Sequence, residues 1–177
     1  MNCHRPILAG LALVLSAPAV AAQQNLNDLE MAHAAVTASN IDIAYGHLAL
    51  ALSENPAIRQ FAETMIRDHS AVNAQVAALA RRLNIEAKDN AFSRRLLQDA
   101  EGKKHELAGL RGIAFDRAYA RNELAYHQAV NGVVEDAFLP AVRNPEVQQA
   151  FKTALAIFRG HEAHAERLVR QVEGIGR

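Results

Sequence analysis

The sequence predicts an all-α protein of four long helices paired as two hairpins, with a short extra helix in the crossover between them. Three observations carry that prediction. Apolar residues recur three and four apart through most of the chain, the spacing of one face of a helix. Two Asn-Pro pairs, Asn55-Pro56 and Asn144-Pro145, each supply an N-cap followed by the residue best suited to a first helical position. No segment alternates apolar and polar residues as a half-buried strand does.

In chain order, the sequence opens MNCHRPILAGLALVLSAPAVAAQQN. Arg5 gives a short positive region, Ile7–Leu15 an apolar core and Val20-Ala21-Ala22 a small-residue cleavage site. Residues 1–22 are therefore expected to be a secretory signal peptide, cut after Ala22, and the protein periplasmic or secreted. The apolar run is too short to span a bilayer, and no later stretch is apolar enough to do so, so an integral membrane protein is not expected. Cys3 precedes the apolar core, which argues against a lipid anchor. Residues 23–177 are then a single domain of roughly 155 residues, enough chain to bury its own core.

A first helix is expected from Asp28, as N-cap, to about Ser53, rich in alanine and carrying Ile41, Ile43, Leu48, Leu50 and Leu52. After Asn55-Pro56 a second helix reaches Leu83 through Phe61, Met65, Val72, Val76 and Leu79. Residues 84–111 break the rhythm, and Ser93 is expected to cap a shorter, more polar helix holding Leu96, Leu97, Leu107 and Leu110. A third long helix is expected over Phe115–Phe138. Asn144-Pro145 repeats the turn, and a fourth helix runs to Val172 through Val147, Phe151, Leu155, Phe158, Ala165 and Leu168. Two tight hairpins joined by one long crossover is the connectivity of a ferritin-like four-helix bundle.

Basic and acidic residues balance at 19 each, there is no basic block, and aromatics are few. Nucleic acid and an anionic membrane surface are thereby excluded as expected partners. Cys3 is the sole cysteine and falls in the leader, so any metal in the mature protein would meet only nitrogen and oxygen. No P-loop, Rossmann glycine pattern or nucleophile elbow appears, so no catalytic residue and no organic cofactor is assigned; Glu123 and His127 could act as acid and base, but nothing in the sequence supplies a nucleophile or a recognisable substrate pocket.

What stands out is polar residues written into apolar stripes. Helix 2 carries Asp68-His69 mid-stripe, where a plain core would carry Leu or Ile. On helix 4 the series Val147, Phe151, Ala154, Phe158, His161, Ala165, Leu168 is unbroken, with His161 inside it. On helix 3, Asp116, Ala120, Glu123, His127, Val130 and Val134 share a face, and on helix 1 Asp42 lies between Ile41 and Ile43. Counted from the first turn, Asp42 and His69 come level at about 20 Å, given 1.5 Å per residue. Glu123 and His161 are equally far from the second turn, with His127 one turn nearer. Each hairpin thus offers a carboxylate and a histidine at matched height.

Buried polar groups cost about 1–3 kcal/mol unless something bonds to them. Imidazoles and carboxylates converging in a bundle are how such folds hold metals, so His69, His127 and His161, with Asp42, Asp68 and Glu123, are the expected ligands of a divalent transition metal, Zn, Cu, Ni or Fe. The competing expectation is a metal-free polar network that fixes the register of a structural or interaction module, with the histidines titrating above their usual value. Glu30-Met31-Ala32-His33 spells E-x-x-H but sits at the start of helix 1 and reads as surface; His164 is a possible second ligand or solvated, and His47 and His105 are unassigned.

With these residues in view, the chain resembles the ferritin-like bacterial envelope family catalogued as domain of unknown function 4142. The resemblance covers about Asn27–Gln171 and rests on Asp42 with Gly46-His47-Leu48-Ala49, Phe61-Ala62, Met65-Ile66, Asp68-His69, Phe115-Asp116 with Tyr119, His127 and His161. It implies export and a bundle rather than a reaction. Asp42 stands where family members often carry the longer Glu. The di-iron pattern of two E-x-x-H pairs is also broken, since Ile66 and Phe158 stand three residues before His69 and His161. Sequestration of a metal, or protection of the envelope under stress, fits this better than ferritin-type iron oxidation.

Overall fold

A computed structural model describes residues 26–174, and over them the chain is helical with no strand. The expected leader, residues 1–22, lies outside the described residues. The helices are α1 (Asp28–Leu52), α2 (Pro56–Leu83), α3 (Ala91–Ala108), α4 (Gly112–Val133) and α5 (Pro145–Glu173). Helices α1 and α2 pack along their length as one hairpin, α4 and α5 as another, and α2 lies against α5 and α1 against α4 where the hairpins meet.

The two Asn-Pro turns work as the sequence indicates. Asn55 Oδ1 accepts from the Ala57 N–H at 3.0 Å, and Asn144 Oδ1 from Glu146 and Val147. At the start of α1 the cap is Asn27 and not Asp28: its side chain takes the Leu29 and Glu30 N–H groups while Glu30 reaches back to the Asn27 N–H, a capping box. Asp28 instead accepts from the Arg143 and Asn144 N–H groups, tying the start of α1 to the second turn.

Helix α1 is apolar nearly all round, and the structure shows why. The crossover helix α3 packs on the side of α1 that the hairpin partner leaves open. Asn90, not Ser93, caps α3, accepting from the Ser93 N–H at 2.8 Å while its amide donates to the Glu30 carbonyl. Ser93 is instead buried and meets His33 Nδ1 at 2.9 Å. Glu30 and His33 are thus half-buried cap and packing residues, not a solvated pair. Gly46 allows α1 and α2 to approach closely, since a Cβ there would meet Ile66 Cγ1 at 2.8 Å and the Ala62 carbonyl at 3.2 Å.

Helix α4 begins at Gly112, earlier than the apolar pattern suggests, with Gly112 at φ +55°. Past Val133 it widens into a π-helical turn, Val134–Phe138, before a last turn Leu139–Ala141. Pro140 accounts for the irregularity: it has no N–H for the Asp136 carbonyl, and its ring would clash there. No described helix is long and apolar enough to cross a membrane.

Candidate metal centre

The site lies halfway along the bundle, where the inward stripes of α1, α2, α4 and α5 meet. Asp42 comes from α1, His69 from α2, Glu123 and His127 from α4, and His161 from α5, and all five are buried. The imidazole rings of His69, His127 and His161 form a near-equilateral triangle, with centroids 5.3–5.7 Å apart. One ring nitrogen from each lies within 4.8 Å of the other two, and one ligand atom each from Asp42, Glu123 and His127 meets the same limit. His127 therefore joins the imidazole triangle to the carboxylate pair.

The partners of the ring nitrogens decide what the site presents. His127 Nδ1 donates to the Glu123 carbonyl at 2.9 Å, one turn back on its own helix. His161 Nε2 donates to Asp68 Oδ2 at 3.0 Å. A carbonyl and a carboxylate only accept, so each of these nitrogens carries the ring proton and the opposite nitrogen presents a lone pair. Those opposite nitrogens, His127 Nε2 and His161 Nδ1, are buried and without a partner. His69 Nδ1 is held by Ser39 Oγ at 3.0 Å. Its Nε2 lies 2.9 Å from Asp42 Oδ2, yet the two are not aligned as a hydrogen bond and neither has another partner. Both oxygens of Glu123 are likewise orphaned. Each imidazole is thus anchored at one nitrogen and open at the other, as metal-binding histidines are.

Burial shapes the charges. It raises Asp42, but the imidazoles of His127 and His69 outweigh it and hold this carboxyl well below the usual carboxylate range. Burial and the charge on Asp42 push Glu123 well above its usual value. Two carboxyls this close and this dry share one negative charge, carried by Asp42, while Glu123 keeps its proton. Burial lowers His127, and it pushes His161 down to about 4 despite the bond to Asp68. Carboxylate pairing therefore does not lift these two histidines, contrary to the expectation for a metal-free network, because desolvation of the imidazolium is the larger effect.

The six expected residues are not used alike. Asp42 and His69 meet as their matched heights require. Glu123 does not face His161; it turns to Asp42 and His127 instead. Asp68 stands outside the convergence, with Oδ1 on Arg67 Nε at 2.8 Å and Oδ2 behind His161. His164 packs its ring against Phe61 at 4.9 Å, away from the cluster, and His47 and His105 are exposed. Two members escaped the sequence reading. Ser39 precedes Asp42 by three on the inner face of α1, a spacing that could have marked it. Phe158 stacks flat on His69 at 4.3 Å, a contact across helices with no sequence signal.

The fold and site define a class: a helical bundle enclosing a His/carboxylate cluster that could hold a metal ion. The chain belongs to the family described as a domain of unknown function, DUF4142, whose model matches residues 15–168. No curated protein and no solved structure matches it.

Proposed function

We propose that this protein is an exported bundle of the ferritin-like arrangement that binds a divalent transition metal at the buried cluster, serving metal sequestration or envelope stress protection. One observation carries the reading: buried, unpartnered nitrogens of three anchored histidines and orphaned oxygens of two carboxyls fall in two adjoining groups, His69–His127–His161 and Asp42–Glu123–His127, that share His127. Orphaned buried acceptors are costly, and a cation satisfies them together. His69, His127 and His161 would hold the ion with Asp42 and Glu123, while Asp68 and Ser39 orient two of the imidazoles from behind. A set of neutral imidazoles and carboxylates without thiolate suits Zn, Cu, Ni or Fe. The ion would supply positive charge to a site that otherwise holds a proton on Glu123. Binding is proposed and turnover is not.

The test is metal analysis of untagged protein purified from periplasm, with its N-terminus sequenced to place the cleavage. A bound ion, and a thermal shift on adding it to chelated protein, are expected; at a thousandfold excess over Kd the stabilisation is about 4 kcal/mol. Protein without metal, and without a shift on adding any of the four ions, overturns the reading. A metal-free polar network remains the second reading, favoured by the direct His161–Asp68 bond. It predicts that His161→Leu keeps the fold and is neutral or stabilising, whereas under the metal reading the same change abolishes the ion-dependent stabilisation.

A further inference from the structure

We infer that the cluster is built for a single four-coordinate zinc ion, held by His69, His127, His161 and Asp42. The inference rests on the metal-binding reading and selects among its ions. The size of the imidazole triangle carries it. Ring centroids stand 5.3 Å apart for His69 and His161, 5.4 Å for His127 and His161, and 5.7 Å for His69 and His127, so the sides are nearly equal. With a metal–nitrogen bond of about 2.1 Å and a ring centre about 1.1 Å behind the nitrogen, each centroid stands about 3.2 Å from a bound ion. Three rings at the tetrahedral angle then lie about 5.2 Å apart, and three on one face of an octahedron about 4.5 Å. In a square plane two sides would measure about 4.5 Å and the third about 6.4 Å. The observed triangle fits the tetrahedron. Zinc takes that geometry with nitrogen and oxygen donors as its ordinary one, whereas Cu²⁺ and Ni²⁺ favour tetragonal sites and Fe²⁺ a site with further open positions.

The triangle is also held at its size from outside. Ser39 Oγ meets His69 Nδ1 at 3.0 Å, and Phe158 stacks on the same ring at 4.3 Å with the planes 9° apart. His127 Nδ1 donates to the Glu123 carbonyl at 2.9 Å, and His161 Nε2 to Asp68 at 3.0 Å. Closing the rings onto an octahedral face would shorten the sides by about 0.8–1.2 Å and pull each ring off its anchor. Asp42 is placed for the fourth corner. Its Oδ2 lies 2.9 Å from His69 Nε2 without hydrogen-bond alignment, and one of its oxygens is within 4.8 Å of a His127 nitrogen. An ion bonded to Oδ2 and Nε2 would set the two about 3.3 Å apart, a retreat of a few tenths of an ångström. Glu123 falls in the second group, beside Asp42 and outside the imidazole triangle. All four donor residues are 5% exposed or less, so solvent is poorly placed to supply the fifth and sixth ligands an octahedral ion needs.

Cobalt(II) is the probe, because it replaces zinc and its visible spectrum reports coordination number. Untagged, chelator-stripped protein titrated with Co²⁺ alone should bind one ion per chain. It should show the strong absorption of tetrahedral cobalt, which lacks a centre of symmetry, and Zn²⁺ should displace the ion and remove the colour. Asp42→Asn trades a charged donor for a neutral one and should weaken Zn²⁺ about tenfold or more, with a changed cobalt spectrum. If that variant does not fold, the cobalt spectrum of the unaltered protein decides alone. One bound Co²⁺ with the weak absorption of five- or six-coordinate cobalt, two ions per chain, or a folded Asp42→Asn that binds Zn²⁺ unchanged would each overturn the zinc assignment and leave metal binding standing. Protein that binds neither Co²⁺ nor any of Zn²⁺, Cu²⁺, Ni²⁺ and Fe²⁺ overturns both.

Discussion

Acid should unfold the metal-free protein earlier than its carboxylates alone would dictate, and His161 is the place to measure it. Burial pushes this imidazole from 6.5 down to about 4, so the folded state resists its protonation. The shift corresponds to about 3 kcal/mol. Because the folded pKa lies below the unfolded one, the unfolded chain binds the extra proton between those values. The stability is present above about pH 6.5 and falls as pH drops toward 4, with about 2 kcal/mol gone by about pH 5. His127 is lowered by burial and adds to this limb, while Glu123, raised by burial and by Asp42, slopes the other way. Comparing wild type with His161→Leu cancels both in first order. Asp68 keeps Arg67 and partial exposure, so removing the imidazole leaves it satisfied. In urea unfolding with chelator at about pH 7 and pH 5, the variant should lose about 2 kcal/mol less than wild type between the two. Equal losses, or a larger loss in the variant than in wild type, would mean that the Asp68 bond outweighs desolvation and would refute the reasoning.

Three further outcomes follow from the same geometry. Glu123→Gln should stabilise the metal-free protein at neutral pH and not at about pH 4, because the raised carboxyl contributes stability below its unfolded pKa that is lost as pH rises through its folded one; thermal melts across that range check this. Ser39→Ala should weaken metal binding about 10–100-fold with helicity unchanged, since it frees the His69 ring without touching the site's donors, as competition with a calibrated chelator would show. Ser53→Ala removes the 2.6 Å bond to the buried Asp116 and should cost about 1–3 kcal/mol in urea unfolding, whatever the metal does.

Much of the fold was legible because its signals are local. Asn55-Pro56 and Asn144-Pro145 act through their own caps, and the apolar stripes face inward over the first two-thirds of α2, to Val72, and along α5 from Val147 to Val172. Legibility failed where a cap had a rival nearby. Asp28 and Ser93 are good caps by type, but Asn27 and Asn90 stand one and three residues earlier, and each rejected candidate was taken by a distant partner. The π-helical turn before Pro140 was a missed local signal, since the proline's consequences four residues upstream were there to be drawn. The polar residues inside the stripes of α1, α2, α4 and α5 were visible as a set because burying each without a partner is costly.

The sequence by itself determined which residues enter the core and at what height, because rise and rotation per residue are constants of the helix. Asp42 and His69 met for that reason. The tertiary structure decided which neighbour each residue chose. His161 took Asp68 across the two hairpins, leaving Glu123 to Asp42 and His127, and Ser39 came to hold His69. Those choices depend on how the helices rotate and lean against one another, which is set by packing over the whole bundle. The apolar cavity beside the cluster has the same origin: all five helices line it, and no single helix encodes it.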